Sequence, residues 1–395
     1  MSLKVLIVNK FFYPRGGDCI CTINLERLLR EHGHITAVYS MDYPENIATQ
    51  WSSYFAPQVD FSSGGIRGRL EAVKRIMGLG DINESFNRIL DDFRPDVVHL
   101  NNIHSYLSPR LAQLAKRRGI KVVWTLHDYK LICPAYLCLR DDKPCEECFT
   151  SKSGVIKYRC MKGSAAASVL AYIEALKWNR KILENNVDVF ICPSGFMRLK
   201  MLKAGFSDNK LAVNCNFLDF DKANLINSES EKPREPYYCY VGRLSEEKGI
   251  DLLLRVAETL PFKLKLAGDG PLMQKAKSGN IEFLGKLNAV QVCDLLSKAT
   301  FSVAPSTCYD NNPLSVIESL SLGTPVVGAD IGGIPELIEV GKTGLLFEAG
   351  NADELTKAIN GAFNIKWIYN QIKEDSIKRF SADTHYNKLI EIYQL

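Results

Sequence analysis

The feature that most constrains this chain is a pattern used twice: short apolar runs, each too short to be a core helix, alternate with stretches of helical period. In the first half, residues 3–9, 34–40, 95–100, 121–126, 187–192 and 211–214 read as strands, and 18–31, 108–118 and 164–183 as helices. An acidic, proline-containing interruption at 228–236 is followed by a second series. Its strands are 237–241, 263–267, 281–284, 301–304 and 325–328, and its helices 247–260, 288–298 and 314–322. Such alternation builds βαβ units, whose crossovers make the strands parallel and cover both sheet faces. Two Rossmann-like, doubly wound parallel-sheet α/β domains are therefore expected, at 1–214 and 215–365, a count that suits 395 residues. The tail, 366–395, is helical in pattern without a strand and is expected to pack back toward the first domain. Open sheets of this kind bind ligands at the carboxyl ends of their strands, so the post-strand loops should line a cleft between the domains.

Bulk properties exclude several classes. Apolar residues make up 46% and charged ones 24%, a balance that buries large cores. The first apolar run, 3–8, is shorter than a secretory core, and no later run approaches the twenty apolar residues of a spanning helix. A cytoplasmic protein with reduced thiols is expected, at the inner face of the membrane if it meets lipid. Lys and Arg outnumber Asp and Glu in residues 1–213, and the reverse holds from 214 on. Clusters at Arg67, Arg69, Lys74, Arg75 and at Lys116, Arg117, Arg118 suit an anionic leaflet; ordinary solvated helix faces are the other reading. No nucleic acid partner is expected.

Gly16 and Gly17 follow the first strand and open a helix, where bare amides and the helix dipole favour an anion; an ordinary tight turn would look the same. The G-x-G-x-x-G and G-x-x-x-x-G-K-[ST] spacings are absent, which disfavours dinucleotide enzymes and P-loop hydrolases. In the second domain Gly242-Arg243 and Lys248 follow the first strand, placing two cations where they could clamp a diphosphate, or else pair with Glu246 and Glu247. Asp310 and Glu318 lie eight residues apart, the first in a loop and the second in a helix otherwise rich in apolar residues. Glu318 therefore requires a polar partner. Asp219-Phe220-Asp221 has the form of a metal-binding DxD triplet but falls in the interdomain passage. Cys133, Cys145, Cys148 and Cys160 read C-x11-C-x2-C-x11-C within a loop-rich insert at about 130–162, with Cys138 as an extra thiol. Structural zinc, free thiols and disulfides all remain open there.

Taken in order, these elements resemble the family 4 retaining glycosyltransferases of the two-domain GT-B type. The similarity runs through Gly16-Gly17, Leu126-His127-Asp128, Gly242-Arg243 with Lys248, Gly268-Asp269-Gly270-Pro271, Phe283-Leu284-Gly285, and Asp310 to Glu318 continuing to Val327. The resemblance implies a sugar-nucleotide donor, a UDP- or GDP-sugar, and transfer with retention to a saccharide or lipid-linked saccharide in surface-polysaccharide assembly, with no cofactor required for catalysis. It implies that His127, Asp310, Arg243 and Lys248 serve catalysis. Donor contacts are implied for Gly16, Gly17, Gly242, Gly268, Gly270, Leu287, Asn312, Pro313, Leu314 and Glu318. The usual E-x7-E pair of the family is here D-x7-E, with Asp310 in the first position. A sugar-nucleotide epimerase of the same fold, or a non-catalytic sugar-nucleotide-binding protein, is the alternative.

Overall fold

The computed structural model describes residues 2–59, 65–228, 233–273 and 279–394, except for the side chains of 65–69, 220, 227 and 228. The side chains of Arg67 and Arg69 and the middle of the interruption at 228–236 thus lie outside the described residues.

Six strands form a first sheet: β1 (Lys4–Val8), β2 (Ile35–Tyr39), β3 (Val97–Leu100), β4 (Lys121–Thr125), β5 (Val189–Cys192) and β6 (Leu211–Val213). A second sheet holds β7 (Glu235–Val241), β8 (Lys263–Ala267), β9 (Ile281–Gly285), β10 (Ala299–Ala304), β11 (Val326–Ala329) and β12 (Gly344–Phe347). Their orders are β2-β1-β3-β4-β5-β6 and β9-β8-β7-β10-β11-β12, and every pairing is parallel. The chain is thus a two-sheet α/β protein of the expected class. Each sheet reverses direction of growth once, between β1 and β3 in the first and between β7 and β10 in the second. Such switch points leave a crevice beyond the strand ends.

Alternation along β1 shows why both faces are filled. Leu6 and Val8 enter one apolar cluster, and Val5 and Ile7 enter another. The second cluster is completed by Leu389, Ile392 and Tyr393 of the last helix, Ala382–Gln394. That helix also places the Tyr393 hydroxyl 2.6 Å from His99 Nδ1, so the C-terminal segment lies on the first sheet. The preceding helix, Tyr369–Arg379, instead buries Ile372 in the core of the second sheet.

The structure differs locally from expectation in three places. The segment 164–183 is two helices, Ala165–Lys177 and Arg180–Asn186. Trp178 turns inward and donates to Ile76 O (2.7 Å), and the Asn179 side chain caps the second helix by accepting from Ile182 N. The helix expected from 247 starts at Ile250, because Gly249 adopts φ +71° and ends a single 3-10 turn, Glu246–Lys248. Strand β12 was not expected; it follows directly on the turn at 341–343.

Candidate active site

The loops after β1 and β3 and those after β7 and β10 come from the two switch points, and they line one cleft of about 490 Å³. From the residues picked out by sequence, Gly17, His127, Gly242, Arg243, Lys248, Asp310, Asn312, Pro313 and Leu314 meet there. Lys10, Asp18, Asn102, Asp128 and Ser306 also line it and had not been singled out for this role. Gly16, Gly268, Gly270 and Glu318 are not among the residues that line it. Leu287 lies elsewhere, in a separate hollow with Tyr237 and Lys265.

In the second domain the cleft wall depends on glycine. A Cβ on Gly268 (φ +137°) would lie 1.8 Å from Gly242 O, so only glycine lets the loop after β8 support the loop after β7. Lys248 Nζ donates to Asp310 Oδ2 at 2.7 Å, and Ser306 Oγ donates to the same oxygen at 2.8 Å. Burial works against the Lys248 ammonium, but the facing Asp310 carboxylate more than offsets it and holds the pKa above the ordinary lysine value. Arg243 has no ion-pair partner among the described residues; it lines the cleft with its guanidinium uncommitted.

In the first domain Gly17 begins the helix Gly17–Glu31, and a Cβ there would meet nothing within 4 Å. The space in front of this helix terminus is open to a ligand. Asp18, one residue on, accepts from Asn102 Nδ2 (2.9 Å) and lies 3.6 Å from Lys10 Nζ. Burial alone would raise the Asp18 pKa, yet Lys10, His127 and Asn102 together pull it below the usual carboxylate value. His127 Nε2 lies 3.0 Å from Asn101 Oδ1, while the Asn101 amide nitrogen faces Val8 O. The oxygen therefore accepts, Nε2 carries the hydrogen, and Nδ1 is left as the acceptor. Burial lowers the His127 pKa against the pull of Asp18 and Asp128, so the ring is neutral near pH 7.

Asn311 ties the domains together. It donates to Leu126 O (3.0 Å) and accepts from Ser194 Oγ (2.7 Å), while Asn312, within the second domain, accepts twice from Asn216, from its backbone N (3.0 Å) and from Nδ2 (2.9 Å). The Tyr309 hydroxyl reaches Glu146 of the cysteine-rich insert at 2.8 Å. Glu318 is buried, with burial raising its pKa and Lys222 opposing; its partner is the Lys222 ammonium, just past the interdomain passage.

Other residues stand differently from expectation. Asp219 accepts from Asn24 Nδ2 (2.8 Å) and Asp221 pairs with Arg27 (2.9 Å), so the triplet is engaged in interdomain ties. Of the three readings left open for the insert's cysteines, zinc finds no support: among the described residues no three of His, Cys, Asp or Glu are placed to hold one metal ion. Cys133 instead lies against Cys138, whose thiol hydrogen bond pulls the Cys133 pKa down to about 6. The insert is shaped by a hairpin in which Leu139–Arg140 pairs with Lys143–Pro144 through left-handed Asp141 and Asp142. The basic clusters are also corrected in part. Arg75 is 5% exposed and donates to Tyr106 O and Pro57 O, while Lys116 pairs with Asp188, Arg118 with Asp91 and Lys74 with Glu71. Among the described residues no helix is long and apolar enough to cross a membrane.

Comparison with known proteins gives this cleft its context. Residues 16–222 match the family described as Glycosyltransferase Family 4, and 221–379 match Glycosyl transferases group 1. A Klebsiella pneumoniae protein described as an uncharacterized 42.6 kDa protein in the cps region is 27% identical over 358 residues, covering 86% of this chain and 88% of that one. A glycosyltransferase from Rickettsia africae shares the fold with a TM-score of 0.67 at 17% identity, over 100% of this chain and 98% of that one. HepE from Anabaena, solved in complex with UDP-glucose, gives 0.66 at 17% identity, with all of both chains covered. With the two sheets, the shared cleft and a family match across half its length, this chain belongs to the family 4 glycosyltransferases of the GT-B fold.

Proposed function

We propose that the enzyme transfers a sugar from a nucleoside diphosphate sugar, with retention of anomeric configuration, to a saccharide or lipid-linked saccharide in surface-polysaccharide assembly. The observation that carries this reading is the convergence of Arg243 and Lys248 from one domain and the Gly17 helix terminus from the other on a single cleft. Two cations and bare amides facing each other suit a diphosphate, and preorganised charge of this kind is the largest aid to a leaving phosphate. A UDP-sugar is the favoured donor class, because HepE, of the same fold, was solved with UDP-glucose. The polysaccharide setting rests on the Klebsiella relative, encoded in a cps region.

In the reaction, the bond from the sugar's anomeric carbon to the diphosphate oxygen breaks and a bond to the acceptor oxygen forms on the same face. The acceptor proton passes to the departing phosphate. Arg243 and Lys248 hold the negative charge that grows on that phosphate. Asp310 is tied to Lys248 and Ser306, a counterion's position that aligns the ammonium. The neutral His127, with Nδ1 free to accept, orients a sugar hydroxyl at the junction of donor and acceptor. Closing of the domains around the donor, through ties such as Asn311 to Leu126, excludes water.

The test is donor turnover across a panel of UDP- and GDP-sugars with an oligosaccharide-lipid extract as acceptor, the product anomer being read by NMR. Transfer with the donor's anomeric configuration kept is expected. An inverted product, or an isomerised sugar formed without acceptor, would refute the reading.

A further inference from the structure

A second cavity of about 440 Å³ opens off the first domain's side of the cleft. Four residues, Lys10, Asn102, Asp128 and Tyr136, line both spaces, so the two are in series with a polar neck between them. Beyond the neck the character of the wall changes. Ile76, Met161, Leu170 and Ala171 supply aliphatic surface. Two of the charged groups there satisfy each other: Lys130 Nζ lies 3.0 Å from Glu174 and donates to Pro134 O (2.8 Å), and Glu174 accepts from Ser105 N (3.1 Å) and Ser105 Oγ, while the third, Lys162, is exposed. His104, stacked on Trp124, is held neutral by burial, with its pKa pushed down to about 3.

A wall of this kind offers few free hydrogen-bonding groups to a second sugar but ample contact to a hydrocarbon chain. The neck, by contrast, presents an ammonium, an amide and a carboxylate, groups that read hydroxyls. The helix Ala165–Lys177, whose Ala167, Leu170, Ala171 and Glu174 face the cavity, also carries Val169, Ile173 and Leu176 on another side, each more than 40% exposed. The helix therefore presents apolar side chains both to the cavity and to the outside of the molecule.

We infer that this second cavity is the acceptor subsite and that it takes an amphiphile. The acceptor's saccharide head sits at the Lys10, Asn102 and Asp128 neck, with its reacting hydroxyl turned to the donor cleft, and its alkyl-type chain lies against Ile76, Met161 and Leu170. The inference rests on the transferase reading above and narrows its acceptor to a lipid-bearing one.

The probes are octyl β-glucoside, kept below its micelle concentration, and methyl β-glucoside, titrated calorimetrically against the full chain. Two variants alter the cavity: Ala167→Trp, at a partly exposed position, obstructs it, and Leu170→Asn makes its wall polar while keeping a branched side chain of four heavy atoms. Octyl glucoside should bind at least tenfold more tightly than methyl glucoside to the wild type. Both variants should erase that preference while leaving UDP and GDP affinities within twofold. Equal binding of the two glucosides, or an octyl preference that survives both variants, would overturn the acceptor assignment and leave the donor reading standing. Failure of every nucleoside diphosphate to bind the wild type would overturn the donor reading itself, and the acceptor assignment with it.

Discussion

Replacing Lys248 by Met removes one charge at the centre of the cleft and has two separable effects. Asp310 Oδ2 loses a charge-assisted hydrogen bond of 2.7 Å, with both side chains less than a third exposed. Hydrogen bonds to charged groups contribute about 1.5–3 kcal/mol. Residual solvent access and the surviving Ser306 bond place the stability loss toward the lower end, about 1–2 kcal/mol. The second effect is kinetic: a preorganised charge on the leaving group supplies about 3–4 kcal/mol of transition-state stabilisation, so kcat should fall about 10²–10³-fold. Thermal unfolding and steady-state transfer rates measure the two separately. The discriminating variant is Lys248→Met combined with Asp310→Asn, which no longer strands a carboxylate. It should regain most of the lost stability and remain as inactive as the single variant. Recovery of activity along with stability would show that Lys248 merely props up the loop, and the reasoning would be wrong.

Other predictions bear on neighbouring parts of the account. Glu318→Gln keeps the shape of the side chain but removes the partner of Lys222; transfer should drop at least about tenfold with a stability loss of about 1–3 kcal/mol, and wild-type rates would contradict it. Gly17→Ala should fold normally, since its Cβ meets nothing, yet weaken donor binding. Gly333→Ala should cost more than about 2 kcal/mol, since its Cβ would stand 1.7 Å from Asn311 O. Equal melting temperatures for these two variants would sink the comparison. Loss of solvent around the rings of His99, His104 and His385 pushes their pKa values down to about 3, 3 and 4. Below about pH 6.5 the unfolded chain takes up protons that the folded one refuses. Stability should be level above that point and decline below it, by up to about 1.4 kcal/mol per pH unit for each ring. A melting temperature that stays flat from pH 7.5 to 5 would refute this.

Much of the fold was legible because parallel strands covered on both faces are continuous apolar runs, and ten of the eleven expected strand segments needed no more than that: β1 is Lys-Val-Leu-Ile-Val and β5 is Val-Phe-Ile-Cys. The weakest case was β6, three residues long, read within the expected strand at 211–214 that marks the end of the first domain. What stayed hidden depended on tertiary context. The break at Trp178 arises because its indole finds Ile76 O, a contact across 102 residues that no helical period reveals. In the site, Arg243, Lys248 and Asp310 stood out as charges in glycine- or asparagine-rich loops. Lys10, Asp18 and Asn102 did not, since each is ordinary alone and only the pairing of β1 with β3 brings them together. A usable signal was present all the same: Asn9-Lys10 and Asn101-Asn102 are polar pairs immediately after two apolar strands, at the ends where ligands bind. The cysteine spacing left zinc, free thiols and disulfides open because sequence separation does not specify which sulfurs meet; in a loop with left-handed Tyr136 and Cys138, Cys133 is hydrogen-bonded with Cys138.

The claim on which the rest depends is that two cations of one domain and a helix terminus of the other hold the second phosphate of a diphosphate. Calorimetric titration of UDP against UMP, and of GDP against GMP, tests it most directly, in the wild type and in Arg243→Met with Lys248→Met. For one nucleobase the wild type should bind the diphosphate at least about tenfold more tightly than the monophosphate, about 1.4 kcal/mol, and the double variant should lose that preference. Equal affinity of the wild type for diphosphate and monophosphate, or a preference left intact in the double variant, would contradict the account.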